Sequence, residues 1–146
     1  MTTTTPADAR MLGLAHYAAR GVLEHVLARH GVTFLQQVTL RALVTAEAPQ
    51  TREEVVTRVR GSLKADPVEI HATLDELRAG QLVLADDPHL RPTDRGRELL
   101  AAVGAETAPI SARIWGGIPE EDLAAAGRVL TLVTERANAQ YTELTA

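Results

Sequence analysis

Cysteine is absent from this 146-residue chain, which removes disulfides, thiolate nucleophiles, Cys-ligated zinc and thiol redox sensing together. Aromatics are scarce: Tyr17, Phe34, Trp115 and Tyr141 are all there are, too few for the stacking platform on which single-stranded nucleic acids are bound. The core must therefore be built from Leu, Val and Ala. No apolar run approaches the roughly 18 residues a membrane span needs, so no membrane partner is expected. The first residues carry neither the basic n-region nor the apolar stretch of an export signal, and cytoplasm is the expected location. Fifteen basic residues against 19 acidic ones give a net charge of −4, which argues against indiscriminate nucleic-acid binding but leaves local basic patches open.

Catalytic signatures are lacking as well. There is no Gly-x-Ser-x-Gly elbow, phosphate-cradling glycine loop or His-Glu-x-x-His. The acid pairs at 53/54, 86/87 and 120/121 sit at helix starts and a turn, where the helix dipole and solvation account for them. No catalytic residue, metal or cofactor is expected.

What is present is helical punctuation. Residues 1–6 read as a frayed tail. From Ala7 to about His30, Met11, Leu14, Ala18 and Val22, joined by Leu23, Val26 and Leu27, recur at helical spacing, and Gly31 supplies a stop. Thr33 with Gln36 and Thr51 with Glu54 match the capping-box pattern. They open a second helix over about 34–45 and a third that carries Val55, Val56 and Val59 and ends at Gly61-Ser62. Asp66-Pro67-Val68-Glu69 places a capping Asp, a Pro at the first helical position and an acid in the first turn. The fourth helix that follows carries the stripe Ile70, Leu74, Leu77.

After Gly80 the period changes. Leu82-Val83-Leu84, a turn at Asp86-Asp87-Pro88-His89 and Leu90-Arg91-Pro92 predict a small hairpin. Thr93 caps a fifth helix, which either passes Gly104 or breaks before Pro109. A sixth begins at Pro119, with Leu123, Leu130, Ala137 and Leu144 repeating every seven residues and Ala126 and Val133 beside them, a seam suited to packing on another helix.

The order helix, helix, helix, hairpin, capped helix is that of a winged helix-turn-helix, flanked here by long terminal helices. Asp66-Pro67, Leu74-Asp75-x-Leu77, Leu82-Val83 and Thr93-x-x-Gly96-Arg97-x-Leu99-Leu100 resemble the multiple-antibiotic-resistance regulator (MarR) family. The segment Ile118-Pro119-Glu120-Glu121-Asp122-Leu123 is similar to that family's last dimerisation helix. The resemblance implies a mainly α fold with a small β-hairpin wing. It places an N-terminal dimerisation helix at 7–32, a DNA-binding lobe at 33–103 and C-terminal dimerisation helices at 104–146. It further implies an obligate homodimer on a pseudo-palindromic double-stranded operator, with a small-molecule effector between lobe and dimerisation helices.

A groove reader needs base-edge contacts from one helix and phosphate contacts from its neighbours. Opposite its apolar stripe the fourth helix offers Val68, Glu69, His71, Ala72 and Asp75: His71 can donate to guanine, Glu69 can accept from cytosine, and Val68 can touch a thymine methyl. Arg52, Arg58, Arg60 and Lys64, with Arg91 and Arg95 beyond the hairpin, are the candidates for phosphate. Arg97 is expected to support the wing instead. His16, Tyr17, Arg20, Phe34 and Trp115 are the candidates for an effector. A haem or anionic ligand on His16 and Arg20 is chemically allowed, though interface hydrogen bonding is the plainer reading.

Two features depart from the family pattern. Residues 66–79 hold Asp66, Glu69, Asp75 and Glu76 against Arg78 alone, and the hairpin tip has two acids where the family carries Asp and Arg. A second reading therefore stands beside the regulator: a winged-helix dimer that has lost DNA binding and holds a small molecule, cofactor or protein partner, with catalysis in the dimer cavity as an option.

Overall fold

The computed structural model describes residues 4–146. Helix α1 runs Ala9–Arg29, α2 Phe34–Val44, α3 Arg52–Leu63, α4 Pro67–Ala79, α5 Asp94–Trp115 and α6 Glu120–Thr145; the strands are β1 Gln50–Thr51, β2 Val83–Asp86 and β3 His89–Pro92. The protein is mainly α with a small antiparallel wing, as the patterning predicts. Of the tail expected at residues 1–6, residues 1–3 lie outside the described residues, and helix begins at Ala9 because Asp8 Oδ1 accepts from the Met11 amide at 2.9 Å.

Side chains close most of the remaining helix starts. At α2 the capping box is complete: Thr33 Oγ1 accepts from the Gln36 amide at 3.1 Å, and the Gln36 side chain accepts from the Thr33 amide at 3.0 Å. At α3 only half forms. Thr51 Oγ1 accepts from the Glu54 amide at 3.2 Å, while the Glu54 carboxylate accepts from the Thr51 hydroxyl rather than from its backbone. Asp66 caps α4 through the Val68 amide at 2.9 Å, with Pro67 at the first position, where a missing N–H costs nothing. Helix α3 passes the expected stop at Gly61 and ends at Leu63, with Lys64 in the left-handed conformation at φ 56°. Pro119 flanks α6 instead of opening it.

The core of the lobe joins α2, α3, α4 and the wing through Leu40, Leu43, Val55, Val59, Ile70, Leu74, Leu77, Val83 and Leu90. Val26, Leu27, Val32 and Val103 are buried as well. In the wing, Val83 pairs with Pro92 and Asp86 with His89. A strand not expected from the sequence completes the sheet in the order β1-β3-β2, with Gln50 opposite Leu90. Where α5 starts, Thr93 Oγ1 accepts from the Gly96 amide and donates to the Gln81 carbonyl. That draws the helix onto the chain entering β2, and a Cβ on Gly96 would lie 2.3 Å from the Leu82 carbonyl oxygen. Only glycine fits so close to a backbone.

Helix α5 continues through Gly104 and Pro109, although Pro109 has no N–H to bond back along the helix. The chain divides there into two compact units, residues 1–108 and 109–146.

Candidate nucleic-acid interface

Helix α4 is fixed from beneath by Ile70, Leu74 and Leu77, all fully buried, a stripe at i, i+4, i+7 that leaves the opposite side outside the core. Val68 is 73% exposed. Glu69 and Ala72 are also exposed, and His71 is half-buried. The four residues expected to meet base edges thus share the outward part of one well-anchored helix.

The acid excess of this helix looks different in three dimensions. Asp66 is occupied as the cap of α4. Glu76 accepts from Gln36 Nε2 of α2 at 2.7 Å. Asp75 accepts from Arg52 Nη2 of α3 at 2.6 Å. Glu69 alone of the four acids has no side-chain partner among the described residues. The sequence count of −3 therefore omits an arginine that a neighbouring helix lends to the same surface.

That arginine does more than pair with Asp75. Arg52 Nη1 also donates to the His71 carbonyl oxygen at 3.2 Å and contacts His71 Nδ1 at 3.3 Å. Among the other basic candidates, Arg58 donates to the Ala42 carbonyl at 3.1 Å and to Thr45 Oγ1 at 3.1 Å, closing the C-terminus of α2. Lys64 Nζ lies against the Gly61 carbonyl. Arg60 and Arg91 are exposed and form no ion pair or side-chain hydrogen bond among the described residues. Neither the Arg52 bridge nor the Arg58 clasp has a local sequence signal, because their partners lie 13 to 23 positions away. At the tip of the wing, Asp86 and Asp87 are exposed, as the turn pattern implies.

The effector candidates are only partly brought together. The Arg20 guanidinium lies 4.2 Å from the Phe34 ring centroid, a cation–π geometry, and pairs with Glu24 at 3.3 Å. The His16 and Tyr17 rings are 5.9 Å apart on α1, and Tyr17 is 70% exposed. Trp115 is exposed and belongs to the unit formed by residues 109–146. A cavity of about 440 Å³ opens elsewhere, lined by His30, Val32, Gln36, Glu76, Leu77, Leu99 and Arg95 among others. None of the five effector candidates lines it, and Arg95, a DNA candidate, does. His30 Nε2 meets the Glu106 carboxylate at 3.1 Å, alongside Arg29 at 3.4 Å. Among the described residues no three His or carboxylate groups come together as a metal site would require, and no helix is long and apolar enough to cross a membrane.

No protein-family model matches the chain, and no curated protein matches it in sequence. Solved structures do match in fold. The transcriptional regulator PA3341 superposes with a TM-score of 0.72 at 22% identity, over 89% of this chain and 97% of its own. CouR from Rhodococcus jostii RHA1, solved with p-coumaroyl-CoA, gives 0.68 at 20% identity, over 87% of this chain and 91% of its own. The MarR family protein Rv2887 of Mycobacterium tuberculosis, solved in complex with DNA, gives 0.65 at 22% identity, over 88% and 98%. The matches cover more than nine-tenths of each of these solved chains: this chain has the winged helix-turn-helix fold of the MarR-type transcriptional regulators.

Proposed function

We propose that this protein is a homodimeric, ligand-responsive transcriptional regulator that reads double-stranded DNA with α4. The observation that carries the reading is the outward surface of α4. Val68, Glu69 and Ala72 stand free on a helix whose other side is locked into the core, and three of its four acids are already engaged within the lobe. Such a surface suits a major groove, with His71 and Glu69 as polar readers and Val68 as an apolar one. Arg60, Lys64 and Arg91 are the proposed phosphate contacts. The short acidic wing adds little, so affinity rests on few phosphate contacts and has a shallow salt dependence.

The homodimer is supported by what the chain leaves uncovered. Sixteen large apolar side chains are exposed among the described residues; five are on α1 and nine lie between Pro109 and Ala146, so fourteen of the sixteen belong to those two stretches. Leu130 and Val133, on the heptad seam of α6, are both over two-fifths exposed. Soluble monomers seldom display apolar surface so densely, and a second copy is the partner that the seam suits. The solved proteins of this fold include one holding p-coumaroyl-CoA and one bound to DNA, which supports a ligand-tuned reader. An effector would act by binding more tightly to one spacing of the two lobes than to another.

The test is selection from a pool of random duplexes by the full-length protein, followed by anisotropy titration of the selected sequence. The reading expects a two-fold pseudo-palindrome whose half-sites are centred about one helical turn, roughly 10 base pairs, apart. Failure to enrich any sequence, even at low salt, would contradict it.

A further inference from the structure

Resting on the DNA-reading role of α4, we propose that Arg52 is a specificity-positioning residue: it holds His71 in one tautomer, so that this ring offers the major groove a hydrogen-bond donor and no acceptor. Arg52 stands at the first position of α3, and its guanidinium reaches across to three acceptors on or beside one turn of α4. They are the His71 carbonyl at 3.2 Å, Asp75 Oδ1 at 2.6 Å and His71 Nδ1 at 3.3 Å. A guanidinium has only N–H groups to offer. The ring nitrogen facing it must therefore present its lone pair, which leaves the ring hydrogen on Nε2 at the opposite edge.

The consequence is chemical selection. An Nε2–H donor suits guanine, whose N7 and O6 lie side by side as acceptors, and is mismatched to the amino groups of cytosine N4 and adenine N6. An imidazole free to exchange tautomers could serve either set. The fork that excludes one of them is anchored by Asp75, so an acid on a DNA-facing helix acts by aligning Arg52. It also removes Arg52 from the phosphate contacts, since its Nη1 and Nη2 are engaged on α4.

The experiment compares the unaltered protein with Arg52→Met and Arg52→Lys, full length, by two readouts. In the free proteins, the ¹⁵N shifts of His71 report which ring nitrogen carries hydrogen. On DNA, random-duplex selection gives the base preference at the operator position that loses its preference in His71→Ala, and anisotropy against salt gives the slope. We expect the Nε2–H form to dominate in the unaltered protein and a mixture in both variants. Guanine preference at that position should fall about fivefold or more, with the salt slope unchanged in both.

Lysine is the decisive variant, since it keeps the charge but cannot fork across three acceptors; should the Met variant not fold, Lys alone decides. Three results would overturn the proposal: an unchanged tautomer in Arg52→Lys, an unchanged guanine preference there, or a salt slope reduced by about 0.9 in Arg52→Met, the signature of a lost phosphate contact. If the unaltered protein selects no sequence, it is the regulator reading that fails, and the ¹⁵N measurement still decides whether Arg52 sets the ring.

Discussion

Between Phe34 and Val103 the chain buries leucine, isoleucine and valine against its own helices and wing, whereas from Pro109 to Ala146 not one residue is fully buried. Both stretches show clear helical periodicity, so the difference lies in what each stripe has to pack on. Ile70, Leu74 and Leu77 meet partners supplied by α2, α3 and β2 within the same lobe. Leu130 and Val133 repeat as regularly and stay exposed. A heptad seam of this kind suits packing on another helix, so a lobe that buries its own stripes stands beside helices whose stripes remain uncovered.

That contrast can be broken by substitutions of different kinds. The largest effect is expected at Gly96, where a Cβ would meet the Leu82 carbonyl oxygen at 2.3 Å and backbone cannot yield as a side-chain tip can. Gly96→Ala should cost about 3 kcal/mol, the upper part of the range for overpacking, read from urea unfolding. A stability within 0.5 kcal/mol or so of the parent protein, the scatter of ordinary surface substitutions, would show that the lobe is less tightly joined than described.

Next is the seam. Leu130→Glu combined with Val133→Glu should convert the dimer to monomer in sedimentation velocity and weaken operator binding by about 100-fold, because two linked half-site contacts become one. The wing and lobe should keep their thermal stability. Loss of the lobe's fold along with the dimer would show that the lobe does not stand by itself. The smallest effect is expected at Thr33, whose capping box serves only the start of α2: Thr33→Ala should cost about 1 kcal/mol and leave the oligomeric state unchanged.

How much of this the sequence discloses follows the range over which each interaction acts. The caps at Thr33, Thr51 and Asp66 and the stripe on α4 are local, with periods of three to seven residues, and are legible. The hairpin is legible too, because its two strands are separated by only the Asp87-Pro88 pair. Strand β1 is not, since Gln50 finds its partner Leu90 forty positions later and two residues carry no periodicity. The same limit hides the electrostatics of α4. Counted along the chain, residues 66–79 are too acidic for DNA; in the fold, Arg52 and Gln36 come from other helices to occupy Asp75 and Glu76. Arg58 shows the converse, as a residue that looks like a phosphate ligand by charge but clasps the end of α2.

Spacing on DNA is the sharpest probe, because it demands both a dimer and an outward α4 in one measurement. A duplex bearing the selected pseudo-palindrome is compared by anisotropy with one in which about five base pairs, half a helical turn, are inserted between the half-sites. The expected result is that one dimer binds the first duplex and that the insertion, by rotating one half-site to the far side of the helix, weakens binding at least tenfold. Equal affinity for the two duplexes, or binding by a single chain, would contradict it.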